Sequence, residues 1–510
     1  MKNGRIILKA TLWNTTPIGI GSRTDEHSDR DVVSTLYPIG TNCELLSPER
    51  ISETKFFKKL PFIPATSFLG KIDTLLTNEN DELKTLWGKV DGEKANGQKV
   101  DGNASFIDCS DILITKLPSQ TPDNKGQVSE IRDGIRLDSA KGNVANGAKF
   151  DYELLSPNTT FGLTMIFRVE TVKRIDEKSK KEIEVVLTEY QSVLEIASSI
   201  AHIINNGFDL GAKTAVGFGR MTGMANLSEL DFENPKEFQK WINNEPGRPI
   251  KANNPNYLKP KEHLFEINAS FKIKNSLIIR SYSKDPKAPD STHLKSGGKN
   301  ILSGSSIKGA LRGRAERILN TIQDDEEVTE TILAGLFGDV EKKKDDKQKV
   351  EKNGYTVPSR LFVDEIPIEE IKEEIQTRIQ IDRFTGGTID GALIEEVPLF
   401  PEKDKEQIKN FKIRVKETQP LDKGLLLLLL KDLWTADLPI GGEKSIGRGV
   451  LTGVEAELKD KNETYKLLDD FSDPQKVKKL QEYVDSLNCL DNYEFYLSRV
   501  NTYKNKRNER

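Results

Sequence analysis

Residues 305–311 (SSIKGAL) and residues 66–72 (TSFLGKI) are two copies of one short pattern, in which small hydroxyl residues precede an apolar stretch of helical spacing. Each copy follows a short apolar segment. Small hydroxyl side chains in this position favour the N-cap of a helix. The pattern therefore predicts, at both places, a turn that leads into a helix.

Two further motifs recur in the same order. Residues 138–148 and 382–392 share Asp-x3-Gly-x4-Gly-Ala, and residues 211–223 and 441–453 share Gly-x5-Gly-x-Gly-x3-Gly. The three pairs are offset by 239, 244 and 230 residues. Ordered matches at nearly equal offsets predict one domain fold that is used twice.

The repeat predicts the domain organisation. We expect a first domain over residues 1–230 and a second over 262–460, joined by a Pro-, Asn- and charge-rich linker over 231–261. Residues 461–510 read as a helical extension with a basic tail. Each half runs strand, loop, helix, insert with a hairpin, helix, Gly-rich turn and strand. This order predicts an α+β class with antiparallel strands, most simply two tandem ferredoxin-like domains.

The composition limits the function. The chain has 510 residues, 31% of them charged, and a formal net charge of −4. This charge argues against unselective coating of nucleic acid but permits a local basic face. No apolar run is long enough to span a bilayer, no signal peptide is recognisable, and three scattered cysteines indicate neither zinc nor a disulfide framework. We therefore expect a cytoplasmic location and no membrane partner.

These motifs carry a resemblance to a known family. Residues 300–312 (NILSGSSIKGALR) resemble the PGSSLKGALR signature of RAMP proteins, and residues 381–387 (IDRFTGG) with 390–393 (DGAL) resemble their IDRFTGGxxDGAL motif. Residues 441–449 resemble their late Gly-rich loop. The first half looks like a degraded copy, in which residues 65–67 stand for PGSS and residues 217–220 (GFGR) for the Gly-rich loop.

More narrowly, the chain is similar to the backbone subunits of type III CRISPR complexes, and two domains on one chain resemble the fused subunits of the type III-D branch. The resemblance implies RRM-like domains that stack along a guide RNA beside other effector subunits. It also implies thumb hairpins that displace a base of the duplex between the guide and a single-stranded target RNA. The predicted thumb residues are Asp138, Gly142, Asp382, Arg383 and Phe384.

In that family, an aspartate in a loop upstream of the PGSS motif is needed to cleave target RNA. In the second domain the loop of residues 284–296 holds Asp285 and Asp290, and Asp290 fits the pattern better. In the first domain we choose Asp29, with Asp31 a close second. The implied activity is a metal-dependent endoribonuclease with Mg²⁺ or another divalent cation, held by Asp29 and Asp290.

The cleavage implied for these carboxylates is slow and confined to fixed sites. A flipped base leaves its phosphate in line with the neighbouring 2′-OH, and a carboxylate can then take the 2′-OH proton or hold a divalent ion. Helix N-termini, basic side chains and Gly-rich turns can hold the RNA backbone. The RNA-binding residues predicted on these grounds are Ser67, Lys71, Gly217, Arg220, Ser305, Ser306, Lys308, Arg312, Arg314, Gly441, Lys444, Gly447 and Arg448.

The residues alone also allow purely structural interpretations, without a role in RNA binding. The helix starts could be ordinary N-caps with a solvated basic face, and the Gly-rich loops could be tight turns. A binding-only scaffold subunit is the first alternative function. A guide-RNA-processing ribonuclease is the second, although the four histidines form no convincing constellation; His27 and His293 lie in the two catalytic loops as candidate auxiliary acids.

Overall fold

The computed structural model of the chain describes part of its length. The described residues are 1–20, 34–38, 57–77, 86–88, 92–93, 99–100, 104–118, 128–137, 144–175, 182–259, 264–282, 287–323, 325–340, 343–344, 350–351, 356–402, 405–467, 473–489 and 493–505. The chain divides into two compact units. The first comprises Met1–Ile131, Asp151–Ala212 and Phe218–Lys261, and the second comprises Arg132–Phe150, Lys213–Gly217 and Glu262–Arg510.

The first half of the chain combines helices with antiparallel strands. The described helices are α1 (Ala65–Leu75), α2 (Tyr190–Asn206) and α3 (Pro235–Ile242). The described strands are β1 (Gly4–Asn14), β2 (Ser34–Pro38), β3 (Phe57–Ile63), β4 (Gly92–Glu93), β5 (Lys99–Val100), β6 (Ile107–Cys109), β7 (Ile112–Lys116), β8 (Ser129–Leu137), β9 (Val144–Leu155), β10 (Thr160–Val169), β11 (Thr171–Ile175), β12 (Glu182–Val186), β13 (Phe208–Asp209), β14 (Arg220–Asp231) and β15 (Arg248–Ile250).

The main sheet of the first unit has β1 at its centre. β1 pairs antiparallel with β10 on one side and with β14 on the other, and β7 pairs with β10. The chain order β1, α1, β7, β10, α2, β14 thus gives the spatial order β14-β1-β10-β7. This is the arrangement of a ferredoxin-like βαββαβ unit.

Alternation along β1 explains how this sheet acquires a core. Successive side chains of a strand lie on opposite faces, so Ile6, Leu8 and Leu12 share one face of β1. All three side chains are fully buried. Helix α2 covers that face with an apolar stripe that includes Val193 and Ile200. The first unit therefore has a hydrophobic core of its own.

The second half repeats this mixture. Its described helices are α4 (Gly304–Ile322), α5 (Glu326–Phe337), α6 (Pro420–Trp434), α7 (Pro474–Cys489) and α8 (Tyr493–Asn505). Its described strands are β16 (Leu264–Ile273), β17 (Arg280–Ser281), β18 (Ser291–His293), β19 (Lys295–Ser296), β20 (Lys299–Leu302), β21 (Asp339–Val340), β22 (Lys343–Lys344), β23 (Val350–Glu351), β24 (Thr356–Val357), β25 (Leu361–Val363), β26 (Ile366–Pro367), β27 (Ile371–Glu373), β28 (Gln376–Ile381), β29 (Thr388–Val397), β30 (Leu399–Pro401), β31 (Ile408–Lys416), β32 (Leu451–Asp460) and β33 (Glu463–Lys466).

The main sheet of the second unit repeats the topology of the first. Its order is β25-β31-β16-β32-β33, with β16 antiparallel to both β31 and β32. The chain order β16, α4, β25, β31, α6, β32 is again βαββαβ. The predicted α+β class with tandem ferredoxin-like domains is therefore confirmed.

The core of the second unit includes the C-terminal helices. The leucine run of α6 packs Leu425, Leu429 and Leu433 against the sheet. Tyr496 of α8 is fully buried and donates a hydrogen bond from its hydroxyl to Asp422 Oδ1 at 2.8 Å. Asp422 also forms an ion pair with buried Arg360. A buried ion pair needs such additional hydrogen bonds to offset its desolvation.

The elements predicted around the repeated motifs are present. The two copies of the first motif begin α1 and α4, and α2 and α6 precede the Gly-rich turns. Residues 231–261, interpreted as a linker, contain α3 and β15, and β15 pairs with β14. The domain boundaries themselves stay predictions. None of the described helices combines the length and apolarity required to cross a membrane.

Candidate nucleic-acid interface

The two Gly-rich turns have the same backbone conformation. Lys213 and Glu443 both adopt the left-handed region, with φ of 58° and 54°, and each precedes a short 3-10 turn. These turns end at Gly217 and Gly447, with φ of 90° and 86°. The internal repeat therefore extends to individual backbone angles.

Close packing within each unit accounts for several of these glycines. A Cβ at Gly219 would lie 1.9 Å from the carbonyl oxygen of Leu210, and one at Gly449 would lie 2.0 Å from that of Ile440. Gly441 is similarly crowded by the Ile278 carbonyl. These turns need glycine for their own packing. RNA binding by Gly217, Gly441 and Gly447 stays a prediction.

Helix α4 begins with a hydroxyl N-cap, Ser303, whereas the hydroxyl residues of the motif itself lie inside the helix. Helix α1 is preceded by Pro64 and has no side-chain cap. Ser303 Oγ accepts a hydrogen bond from the Ser306 backbone N–H at 3.3 Å, and Ser305 is exposed beside it. In the first half, Ser67 is exposed on α1, and Lys71 is partly buried one turn later. Backbone N–H groups at helix starts attract anions. At the start of α1 the Ala65 N–H already donates to Asp111 Oδ1 at 2.9 Å, and phosphate binding at both helix starts stays a prediction.

Lys308 has partners inside the chain. Its Nζ donates to Ser359 Oγ at 2.6 Å and to the Leu361 carbonyl at 3.2 Å. Burial, and then the positive charge of Arg312, lower the pKa of Lys308 to about 7. The amine of Lys308 is thus engaged within the chain, and its role in phosphate binding stays a prediction.

The other predicted cations also have intramolecular partners. Arg312 Nη1 donates to the Gly338 carbonyl at 2.8 Å, and Arg314 Nε donates to Asp432 Oδ2 at 2.6 Å. In the first half, Arg220 donates to Asp209 Oδ1 at 2.7 Å. Lys444 is exposed on its turn. Burial, and then the positive charge of Arg317, lower the pKa of Lys444. RNA binding by Lys444 and by the other cations stays a prediction.

The second-domain thumb is an exposed hairpin. β28 and β29 pair antiparallel, and Asp382 closes the tip by accepting hydrogen bonds from the backbone N–H groups of Phe384 and Thr385 at 2.7 and 2.8 Å. These two N–H groups, first that of Thr385, lower the pKa of the Asp382 carboxyl. Arg383 is exposed, and Phe384 is 99% exposed.

The thumb presents apolar side chains to its surroundings. Those that are exposed are Ile379, Ile381, Phe384, Ile389, Leu393 and Ile394. Exposed apolar side chains gathered on one hairpin indicate an interaction site. In the first half, β8 and β9 form the corresponding hairpin, and Ile135 on β8 is likewise exposed. Asp138 and Gly142 lie outside the described residues.

Asp290 lies at the base of the second-domain thumb. It is exposed, and its Oδ2 accepts a hydrogen bond from the backbone N–H of Glu395 on β29 at 2.8 Å. The next residue, Ser291, begins β18, which pairs in parallel with β29. The predicted carboxylate and the thumb are therefore neighbours. Asp29 and Asp31 lie outside the described residues, as do Asp285 and His27.

His293 has a structural environment. It is 2% exposed, its Nδ1 accepts from the Ile279 N–H at 3.2 Å, and its Nε2 lies 2.9 Å from the Ile301 carbonyl. Nε2 therefore carries the proton of a neutral ring. Burial lowers the pKa of His293 to about 4. The suggested role of His293 as an auxiliary acid does not fit this environment.

A buried charged cluster under the thumb was not expected from the sequence. Glu396 of β29 is 1% exposed, and its Oε1 accepts from Arg280 at 2.8 Å and from Ser291 Oγ at 3.2 Å. Its Oε2 accepts from Arg378 at 3.1 Å. These residues are far apart in sequence and match no motif, so only the fold brings them together.

The same cluster includes the Gly-rich turn. Arg378 donates to both oxygens of Glu443 at 2.7 and 2.6 Å, and Arg448 Nε lies 2.6 Å from Glu443 Oε2. Burial opposes ionisation of Glu443, but hydrogen bonds from Arg378 and from the Glu396 side chain, together with the charges of Arg378 and Arg448, lower its pKa to about 2. Arg448, predicted to bind RNA, is buried and also donates to Gln376.

The described residues include no group of three or more histidine, cysteine or acidic side chains that could hold a metal ion. Asp290 supplies an exposed carboxylate. Mg²⁺ commonly binds through one or two carboxylates, with water and phosphate oxygens completing its octahedron. The residues present therefore fit an ion shared with RNA, which stays a prediction.

Comparison with protein families identifies a match over most of the chain. The family model for the RAMP superfamily matches residues 15–222 and 270–452, well over half of the chain. Each matched region contains one copy of the helix motif and of the thumb motif, and nearly all of one Gly-rich turn. No curated protein matches the chain.

Proposed function

Because the chain belongs to the RAMP superfamily, which makes it a CRISPR-associated RNA-binding subunit, we propose that it is a guide-RNA-binding backbone subunit of a type III effector complex, of the fused type III-D kind. We propose further that it cleaves single-stranded target RNA beside its thumb hairpins. Its partners are then guide RNA, target RNA and other effector subunits, and its location is the cytoplasm.

The observation that carries the proposal is the contact between the Asp290 carboxylate and the Glu395 N–H on the thumb. A thumb that displaces a base leaves the adjoining phosphodiester distorted next to the hairpin. The proposal places this distorted linkage beside the carboxylate that is hydrogen-bonded to the base of the hairpin. The exposed apolar surface of the thumb supports the wedge role, because such side chains can enter a base step.

The proposed reaction uses the RNA as its own nucleophile. Asp290 accepts the proton of the 2′-OH, and the 2′ oxygen attacks the adjacent phosphorus. The bond from phosphorus to the 5′ oxygen breaks, and that oxygen leaves as a 5′-OH after taking a proton from water. The products are a 2′,3′-cyclic phosphate and a 5′-OH. In-line positioning supplies most of the acceleration, and the carboxylate adds general-base catalysis.

A divalent ion such as Mg²⁺ would add charge stabilisation at the phosphate when bound. Asp290 would be its protein ligand in the second domain and Asp29 in the first. The proposal therefore assigns one cut to each domain, with Asp31 as the alternative residue in the first.

The test is target-RNA cleavage by the reconstituted complex with Asp29→Ala and Asp290→Ala, singly and together. We expect each single variant to lose one product band while still binding target RNA. A double variant that cuts like the parent would make this chain a binding-only scaffold. Guide processing is disfavoured by the environment of His293, and a change in guide length in the double variant would revive it.

A further inference from the structure

The charged cluster at the base of the thumb joins three separate segments. We call Arg280, Arg378, Glu396, Glu443 and Arg448 the thumb-base cluster. Arg280 lies on β17, Arg378 and Glu396 lie on the two strands of the thumb, and Glu443 and Arg448 belong to the Gly-rich turn.

Glu396 is the centre of this cluster. Arg280 reaches its Oε1 through Nη2 at 2.8 Å and through Nε at 3.1 Å, while Arg378 reaches its Oε2. The carboxylate is almost fully buried, and a buried carboxylate without partners is strongly unfavourable. Because its partners come from different segments, satisfying Glu396 requires those segments to keep one relative position.

Two consecutive contacts then join the Asp290 segment to the thumb. Ser291 Oγ donates to Glu396 Oε1, and the Ser291 backbone is paired with that of Glu396. One residue earlier on each strand, Asp290 accepts from the Glu395 N–H. The side-chain and backbone contacts thus run in register along β18 and β29.

We propose that Glu396 is a positioning residue that fixes Asp290 relative to the thumb hairpin, so that the displaced base and the cut phosphodiester keep a constant spacing. This inference rests on the proposed function. It adds that the spacing is set by a buried carboxylate that touches neither RNA nor the reacting atoms. A misplacement of about 1 Å in a reacting group can cost on the order of 100-fold in rate. The cleavage rate therefore depends on the position of Asp290 relative to the phosphodiester that is cut.

The test variant is Glu396→Gln, which keeps the shape of the side chain and removes its charge. Ser291→Ala is a milder second variant, because it removes one donor to the same carboxylate. The matched control is Asp460→Asn, which replaces another buried carboxylate by an uncharged amide. Asp460 lies outside the thumb and accepts hydrogen bonds from Tyr483 and Lys423.

Hydrogen exchange is measured on the full-length chain over residues 287–293 and 376–397. We expect Glu396→Gln to raise exchange in both segments together and Ser291→Ala to do so more weakly, while Asp460→Asn leaves both unchanged. If the thumb loosens while the Asp290 segment stays protected in both variants, Asp290 is held by other contacts and the inference is overturned.

The assembled complex supplies the second readout. We expect Glu396→Gln to lower the single-turnover cleavage rate by about 10-fold or more, or to spread cleavage over neighbouring phosphodiesters, with target affinity unchanged. Normal rate and normal cut position in Glu396→Gln would overturn the inference even if Asp290→Ala abolishes cleavage. Absence of cleavage in the parent complex would instead overturn the proposed function, and the exchange data would still decide the positioning claim.

Discussion

The Asp290 carboxylate and the Glu395 backbone are joined by a hydrogen bond of 2.8 Å from the peptide N–H to Oδ2. Glu395 belongs to β29, so the bond connects an exposed loop carboxylate to a strand of the thumb. Asp290 therefore has two separable properties: it accepts a hydrogen bond that orders the thumb base, and it carries a charge that can accept a proton.

Substitution can separate these two properties. Asp290→Asn keeps an oxygen that can accept the Glu395 N–H but is far too weak a base to take a 2′-OH proton, whereas Asp290→Ala loses both. We expect single-turnover cleavage at the second-domain site to fall by about 100-fold or more in both variants, the usual scale of general-base catalysis. Hydrogen exchange at residues 394–397 should rise only in Asp290→Ala. Parent-like cleavage by Asp290→Asn would remove the general-base role.

Much of the fold can be predicted from the sequence because its signals are local. A few neighbouring residues decide the turn glycines, the Ser303 N-cap and the alternation of β1. The repeat adds a second copy of each motif, which supports the same interpretation in both halves. The strand orders β14-β1-β10-β7 and β25-β31-β16-β32 follow once the two halves are recognised as βαββαβ units.

The site was less predictable because side-chain partners are set by tertiary contacts. Lys308, Arg312 and Arg314 read as a basic helix face, yet each bonds to a residue from another element. Glu396 and its arginines carry no motif at all. A charged residue in a polar sequence looks solvated until the fold shows that it is buried.

The tip of the thumb offers a test of the wedge role. Phe384 is 99% exposed, so Phe384→Ala should change the free energy of unfolding by less than about 0.5 kcal/mol. We expect it to reduce base displacement, reported by a fluorescent base analogue in the target, and to slow cleavage by about 10-fold or more through lost positioning. Ile242→Ala, at another exposed apolar residue on α3, is the control. Unchanged fluorescence and rate in Phe384→Ala would assign the wedge to other thumb residues.

The C-terminal helix α8 should contribute measurably to the stability of the second unit. Tyr496→Phe removes the hydroxyl that donates to Asp422 at 2.8 Å, while Arg360 continues to bond the same carboxylate. A hydrogen bond to a charged group contributes about 1.5–3 kcal/mol, so we expect a loss of that size in denaturant unfolding of the second unit. Tyr493→Phe, at the start of the same helix, should have little effect. No loss in Tyr496→Phe would mean that packing of the ring, rather than this hydrogen bond, anchors α8.

His293 should make stability depend on pH. Its pKa is lowered by burial from 6.5 to about 4, so the folded chain resists protonation while the unfolded chain accepts it. The stabilising contribution is complete above about pH 6.5 and falls as the pH drops towards 4, by at most about 3 kcal/mol in total. Unfolding free energies measured across this interval should therefore decline more steeply in the parent than in His293→Gln, which keeps a donor and an acceptor but does not titrate. His202→Gln, at an exposed histidine of α2, should retain the slope of the parent. If His293→Gln keeps that slope as well, other groups carry the acid sensitivity, and the buried neutral imidazole is not its source.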